Sequence, residues 1–333
     1  MWGAIFPGQG SQSVGMGRFL FDEFSTARQL FEEASDTLKQ DFKKLCFDGP
    51  ESDLQLTENT QPALLLVSTV TYRVISESLP LEIKMASGHS VGEYAALVAS
   101  DVLQFGDALR AVRRRGQAMQ AAVPVGQGAM AAILGMTDEQ VIQLCSALSS
   151  SLAGSGKSVC LEPANFNCPG QVVISGSADS MLALKDLATP AWLEQVFGAN
   201  PPRLKMIPLN VSAPFHCSLM KPAEVVMGEV LKGMSFKAPQ FPVVQNLNAE
   251  STSDPNLIRE WLTGQISGTV RWTQCQQKLN LHCQQFVEMG GGKVLAGLGK
   301  KIDPSKVIYN INSLDDFRAL EQALKRLETE NAQ

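Results

Sequence analysis

Short, wholly apolar runs alternate with longer stretches in which apolar residues recur every three or four positions. That rhythm predicts buried strands interleaved with helices, an α/β chain organised on a parallel sheet. Gly3-Ala4-Ile5-Phe6 is the first strand candidate, and it stops at the loop Pro7-Gly8-Gln9-Gly10-Ser11-Gln12. Residues 18 to 46 keep helical spacing, with Phe21, Phe24, Ala27, Leu30, Phe31, Ala34 and Leu38 on one face. Thr60-Gln61-Pro62 opens a second helix, with proline near its first turn, that ends near Leu79-Pro80. Ile83 to Ser87 then reads as a strand, residues 92 to 100 as a helix, and Phe105 to Ala122 as another.

Val123-Pro124-Val125-Gly126-Gln127-Gly128 marks a boundary, after which the rhythm changes. A strand at Ala129–Leu134 is followed by a helix from Thr137 to Ser149 and a Ser/Gly-rich turn through Gly156. Strands at Ser158–Glu162 and Gln171–Gly176, a helix from Asp179 to Leu187 and a strand at Arg203–Leu209 complete the set. The order β-α-β-β-α-β is the ferredoxin-like unit. It predicts a small α+β subdomain at 127–205, inserted into a large α/β-hydrolase-like catalytic domain formed by 1–126 and 206–333. In the returning segment, Pro242–Asn246, Gln285–Met289 and Val307–Tyr309 read as strands. Helices are expected over Pro222–Leu231, Leu257–Ile266, Trp272–Leu281 and residues 294–300.

Composition narrows the function class. The 333 residues are 44% hydrophobic and 18% charged, enough to bury a substantial core. A net charge of −5 argues against nucleic acid as the main partner. The apolar runs are too short to span a membrane, and Met1-Trp2-Gly3-Ala4-Ile5-Phe6 does not read as a signal peptide. Seven cysteines with no Cys-x-x-Cys pair read as reduced thiols of a cytoplasmic protein. With three histidines, His89, His216 and His282, and no zinc-type spacing, no metal site is expected. Gly8-Gln9-Gly10 has Ser13 where a dinucleotide fingerprint needs glycine, and Gly290-Gly291-Gly292-Lys293 does not align as a P-loop.

Gly88-His89-Ser90-Val91-Gly92 carries the chemistry. Gly-x-Ser-x-Gly between a strand and a helix is a nucleophile elbow, in which only small residues fit beside the serine, hence a glycine on each side, and the serine hydroxyl stands at a helix N-terminus. Ser90 needs a base within hydrogen-bond reach. His89 is its direct neighbour, and adjacent side chains on a tight turn diverge. His282 lies in a polar stretch that reads as surface. His216, in the proline-punctuated loop Ser212-Ala213-Pro214-Phe215-His216, is the expected base. No carboxylate presents itself to orient it, so an amide or a backbone carbonyl would have to do so. Such a mild base suits acyl transfer from an activated thioester. Arg113, Arg114 and Arg115 project about 100° apart on their helix. That spacing lets one turn inward to grip a carboxylate while the others stay solvated.

Phe6-Pro7-Gly8-Gln9-Gly10-Ser11-Gln12, Gly88-His89-Ser90-Val91-Gly92-Glu93-Tyr94, Arg115-Gly116, Asn165-Phe166-Asn167, Gln171-Val172-Val173-Ile174-Ser175-Gly176 and Val211-Ser212-Ala213-Pro214-Phe215-His216 stand in register over nearly the whole chain. Together they resemble the malonyl-CoA:acyl carrier protein transacylase family. The resemblance implies that Ser90 carries a malonyl ester, that His216 moves its proton, and that the amides of Gln9 and Val91 form an oxyanion hole. It implies that Arg115 holds the malonate carboxylate, that Gln265 orients the histidine, and that Asn167 and Phe215 line the substrate cleft. Phe215 would crowd an α-methyl branch. It further implies a ping-pong cycle for fatty acid biosynthesis with malonyl-CoA and an acyl carrier protein as partners. Coenzyme A would be a product and no cofactor would take part. A monomer is expected.

The chain departs from the family at Thr269, which stands where proline is usual, and at Ala188–Arg203, a longer connection that reads as a surface insertion. Arg113, Arg114, Lys300 and Lys301 are candidates for a basic patch facing the acidic carrier, the alternative being a solvated face. Three other functions remain open: a discrete acyltransferase serving a polyketide synthase, a thioesterase or esterase, and a binding protein with an inactive elbow.

Overall fold

Among the described residues, nine strands form two sheets: β1 (Trp2–Phe6), β2 (Ile83–Gly88), β3 (Gly128–Leu134), β4 (Leu161–Cys168), β5 (Gln171–Ser177), β6 (Lys205–Pro208), β7 (Val243–Val244), β8 (Gln285–Glu288) and β9 (Val307–Asn310). The computed structural model describes residues 1–153 and 159–331. The Gly154-Ser155-Gly156 turn and the expected strand start at Ser158 lie outside the described residues. Five strands build a parallel sheet in the order β7-β2-β1-β8-β9. Every residue of β1 is buried, as in a sheet covered on both faces. The parallel α/β architecture is the expected one. The carboxyl ends of β1 and β2 open onto the Pro7–Gln12 loop and the elbow, where ligands gather in open α/β sheets.

The second sheet has the order β4-β5-β3-β6 with antiparallel pairs throughout. Helices Asp138–Ser151 and Ala178–Leu187 connect its strands, which gives the order and pairing of a ferredoxin-like unit. Thr137 and Gln140 form a full capping box on the first of these helices. The two sheets are tied together by the segment after Gln265. Phe166 N donates to Val270 O at 2.9 Å, Val270 N to Ala164 O at 2.8 Å, and Thr269 Oγ1 to Pro163 O at 2.8 Å. The threonine at the family's proline position therefore fixes this backbone with a hydrogen bond that proline cannot make.

Several elements differ from expectation. Residues 18–46 break into helices Arg18–Glu23, Ser25–Leu38 and Phe42–Asp48. Phe24 is extended and Lys39 has φ 52°, so neither can continue a helix. The helix expected from Thr60 begins at Thr57, which puts Pro62 inside it. The Ala188–Arg203 segment contains a helix, Pro190–Phe197, with Thr189 accepting from Trp192 N at its start. After β9 comes a further helix, Leu314–Asn331, which packs through Phe317, Leu320 and Leu324.

The long helix Phe105–Ala122 reaches the site because Gly116 lets it touch the first turn of Thr57–Ser78. A Cβ on Gly116 would lie 2.8 Å from both Glu58 Cα and Thr57 O. Gly116→Ala should therefore destabilise the protein by about 1–3 kcal/mol through overpacking. Gly228→Ala, in helix Lys221–Lys232 with only an ordinary 3.5 Å contact to Thr263, should be neutral or stabilising. Urea unfolding midpoints of the two variants test the contrast. Equal midpoints would rule out close packing as the reason for Gly116.

Candidate active site

The elbow is as tight as its two glycines imply. A Cβ on Gly88 would sit 2.0 Å from the Gly92 carbonyl carbon, and one on Gly92 would sit 2.2 Å from Phe6 O. Ser90 itself has φ 53°, an unfavourable value for a non-glycine residue. Its amide donates to Asn246 Oδ1 at 2.7 Å, and His89 N donates to Phe6 O at 2.9 Å. These bonds hold the strained turn and put the hydroxyl at the start of helix Gly92–Ala99.

His216 is brought to it from the loop after β6. Ser90 Oγ and His216 Nε2 are 2.7 Å apart. His216 Nδ1 lies 2.9 Å from the backbone oxygen of Gln265. A carbonyl only accepts, so Nδ1 carries the proton and Nε2 presents its lone pair to the serine. Burial, reinforced by the charge of Arg115, pushes the imidazole down to about pKa 3. His216 is thus a neutral base throughout the physiological range. The orienting group is the main chain of residue 265, not its side chain.

Arg115 is the arginine that turns inward, at 1% exposure. Its Nη1 donates to Gln61 Oε1 at 3.0 Å, and its Nη2 to Gln265 Oε1 at 2.9 Å and Ser90 Oγ at 3.1 Å. Among the described residues no carboxylate lies within ion-pair distance of it, and Nε has no acceptor. Arg113 is half-buried, bonded to Asn59 and Gln40 and lying over the Phe42 ring. Its guanidinium is engaged within the fold, which removes it from the candidate basic patch. Arg114, Lys300 and Lys301 are exposed.

The sequence reading missed Glu93, Asn246 and Gln61. Glu93 is fully buried, and its Oε2 accepts from Asn246 N at 2.8 Å and Gln265 Nε2 at 2.9 Å. Burial raises its carboxyl to about pKa 7, against the opposing pull of Asn246, Gln265 and Arg115. Asn246 also donates to Gly88 O at 2.8 Å, so it braces the elbow at Gly88 as well as at Ser90. The available signal was a single acidic residue inside the otherwise apolar helix Gly92–Ala99.

Gln9 and Val91 flank the serine. Among the described residues their amides find no acceptor. Gly8 is what lets the loop approach: a Cβ there would meet His89 O at 2.5 Å. His89 points away from Ser90, with Nε2 at 2.9 Å from Asn167 Oδ1 and its ring against Trp272, and His282 is exposed. A cavity of about 150 Å³ joins these groups, with Met119, Met130, Val173, Leu209 and Phe215 as its apolar wall. Asn167 on β4 borders it from the second sheet. Ser90, His216, Arg115, Gln9, Val91, Asn167 and Phe215 all line this one space, while Gln265 lies behind it.

The chain is similar to known proteins over nearly its whole length. A malonyl CoA-acyl carrier protein transacylase of Bacillus subtilis (strain 168) is 41% identical over 328 residues, covering 98% of this chain and 97% of the relative. The crystal structure of a malonyl CoA-acyl carrier protein transacylase from Clostridium perfringens superposes with a TM-score of 0.90 at 32% identity, covering 100% of this chain and 99% of that one. A malonyl-transacylase solved in complex with a type II polyketide synthase acyl-carrier protein superposes at 0.87 with 37% identity, covering 97% and 99%. The family model for the acyl transferase domain matches residues 4–291. The chain belongs to the acyl transferase family.

Proposed function

We propose that the protein transfers a malonyl group from malonyl-CoA to the phosphopantetheine thiol of an acyl carrier protein, in fatty acid synthesis. The observation that carries this reading is Arg115, a buried cation with no carboxylate partner among the described residues, 3.1 Å from the Ser90 hydroxyl. Burying a charge without a counter-ion is costly. A substrate carboxylate placed beside the serine would supply the missing partner as a bidentate pair.

The cycle follows from the contacts. His216 Nε2 takes the Ser90 proton as Oγ attacks the thioester carbonyl. The amides of Gln9 and Val91 face the oxygen that becomes negative. Collapse expels coenzyme A as a thiol, using the proton held on His216. The carrier's thiol then gives its proton to His216 and attacks the malonyl ester, which restores Ser90. Coenzyme A is substrate and product, and the cycle calls on no cofactor. Phe215, on the cavity wall, would disfavour an α-methyl branch, by about 1–3 kcal/mol for one methyl group. The solved relative bound to a polyketide carrier protein favours a second reading: the same chemistry serving a polyketide synthase.

Intact mass after mixing with malonyl-CoA tests the cycle. Wild type should gain one malonyl group and lose it on adding the carrier, while Ser90→Ala gains none. An adduct lost equally fast in buffer would identify a hydrolase. Arg115→Ala should lower kcat/KM for malonyl-CoA by about 10²–10³-fold, the scale of removing one member of a buried charge pair. It should leave acetyl-CoA, which has no carboxylate, far less affected. Equal losses on both substrates would refute the carboxylate role.

Glu93 sets a pH dependence. Above about pH 7 it ionises and partly neutralises Arg115, so malonyl-CoA should bind less tightly and KM should rise. Glu93→Gln should flatten that rise. His216 is already neutral, so no limb is expected at the ordinary histidine value. A KM rise that survives in Glu93→Gln would assign it to another group.

A further inference from the structure

One polar side chain on the cavity wall has no part in the acyl-transfer cycle. Asn165, on β4, borders the cavity and is 6% exposed. The next residue, Phe166, packs into the core beneath the helices of the second sheet, so alternation along the strand turns Asn165 the other way, toward the cavity. Among the described residues its side-chain amide has no hydrogen-bond partner, whereas every other polar side chain on the cavity wall has one. Gln61 bonds Arg115, His89 bonds Asn167, Ser90 bonds His216, and Gln9 bonds Thr57. The unpaired amide is also held in place. Asn165 pairs with Val173 on β5 and bridges to Val270, in the segment that carries Gln265.

A fixed amide without a partner points to a ligand that supplies one. In the free enzyme solvent can serve such a group. A substrate that fills the cavity expels that solvent, and the amide then keeps an unmet donor and an unmet acceptor unless the ligand provides both. The acyl group has nothing left to offer. Its carboxylate is proposed to meet Arg115, and its thioester oxygen the amides of Gln9 and Val91. The remaining polar group close to the sulfur is the first amide of the pantetheine arm, two carbons away. That amide presents one N–H and one C=O, the complement of an asparagine side chain.

We propose that Asn165 binds the first amide of the pantetheine arm, donating from Nδ2 to its carbonyl and accepting at Oδ1 from its N–H, and so sets the thioester over Ser90. Coenzyme A and the carrier protein present the same arm, so one residue serves donor and acceptor. The second sheet then contributes a grip on the arm, while the parallel sheet and its helices hold the acyl group. The proposal rests on the proposed function only in taking a pantetheine thioester as substrate; the identity of the acyl group does not enter.

Truncated thioesters test this, with acyl-serine formation followed by intact mass. Malonyl-N-acetylcysteamine keeps the first amide of the arm and nothing beyond it, and malonyl ethyl thioester lacks that amide. Wild type should use the amide-bearing thioester with about 10-fold higher kcat/KM, the worth of one or two neutral hydrogen bonds. Asn165→Ala and the near-isosteric Asn165→Leu should each lower kcat/KM by about 10-fold for malonyl-CoA and for malonyl-N-acetylcysteamine. Both should leave the ethyl thioester within about twofold, so that the preference for the amide disappears. A wild type indifferent to the amide overturns the proposal without any variant. Equal losses on the two truncated thioesters overturn it too, because they place Asn165 at the acyl group or in the fold. A loss confined to malonyl-CoA also overturns it, by moving the contact further along the arm. If wild type gains no malonyl group but is acylated by acetyl-CoA, the malonate reading fails, and the acetyl pair of thioesters reads the same ratio.

Discussion

Residue 265 holds the site together from both of its ends. Its carbonyl fixes the tautomer and position of His216, and its side-chain amide spans from Arg115 to Glu93 and the Ser90 carbonyl. Nucleophile, base and cation are therefore positioned by one residue, whose backbone is in turn fixed by the Val270 and Thr269 contacts to β4. A site that draws residues from two sheets needs such a common reference. An amide suits the place because it is neutral and both accepts and donates. A carboxylate there would bond directly to Arg115 and satisfy the cation that the substrate is proposed to meet.

The electrostatics follow from that insulation. Arg115 and Glu93 are both buried, yet a neutral glutamine side chain stands between them in the hydrogen-bond chain. Each is left short of a partner: Arg115 at Nε, Glu93 at Oε1. A direct pair would have stabilised both charges and removed the attraction for an incoming anion. Burial depresses His216 most, and the same cation adds to it, which together keep the base unprotonated. One guanidinium thus favours an acidic acyl group and a free base at once.

Much of the site was legible because it rests on steric rules. Gly88 and Gly92 announce a turn that admits no Cβ. Helical spacing allows one of three arginines to turn inward, and it is the family resemblance, not the spacing, that singles out Arg115. His216 could be found by elimination among three histidines. Glu93 could not, because its role depends on Asn246, 153 residues away, and on Gln265, 172 residues away. Nor could the source of the histidine's orientation, since a backbone carbonyl has no side-chain signature. In the fold, strands with continuous apolar runs were clear. The missed helices, Pro190–Phe197 and Leu314–Asn331, are amphipathic segments beside proline-rich or polar sequence, where local composition outweighed their spacing. The stretch 18–46 kept its apolar face, but Phe24 and Lys39 left the helical region, and periodicity alone does not register a single residue that does so.

The distribution of strain points to where the fold is least free to change. Ser90 and His216, the two groups in direct contact, both sit at positive φ without being glycine. Each conformation persists only because its surroundings over-determine it. For Ser90 these are Asn246 and the packed glycines; for His216 they are Gln265 and the segment that runs through Cys217 and Ser218 to Glu162 on β4. The elbow also reaches the second sheet, through His89 to Asn167 on β4 and through the Ser90 carbonyl to Gln265, so nucleophile and base are both braced across the seam between the sheets. A change at the seam therefore reaches both groups, and the two strained conformations are held or lost together.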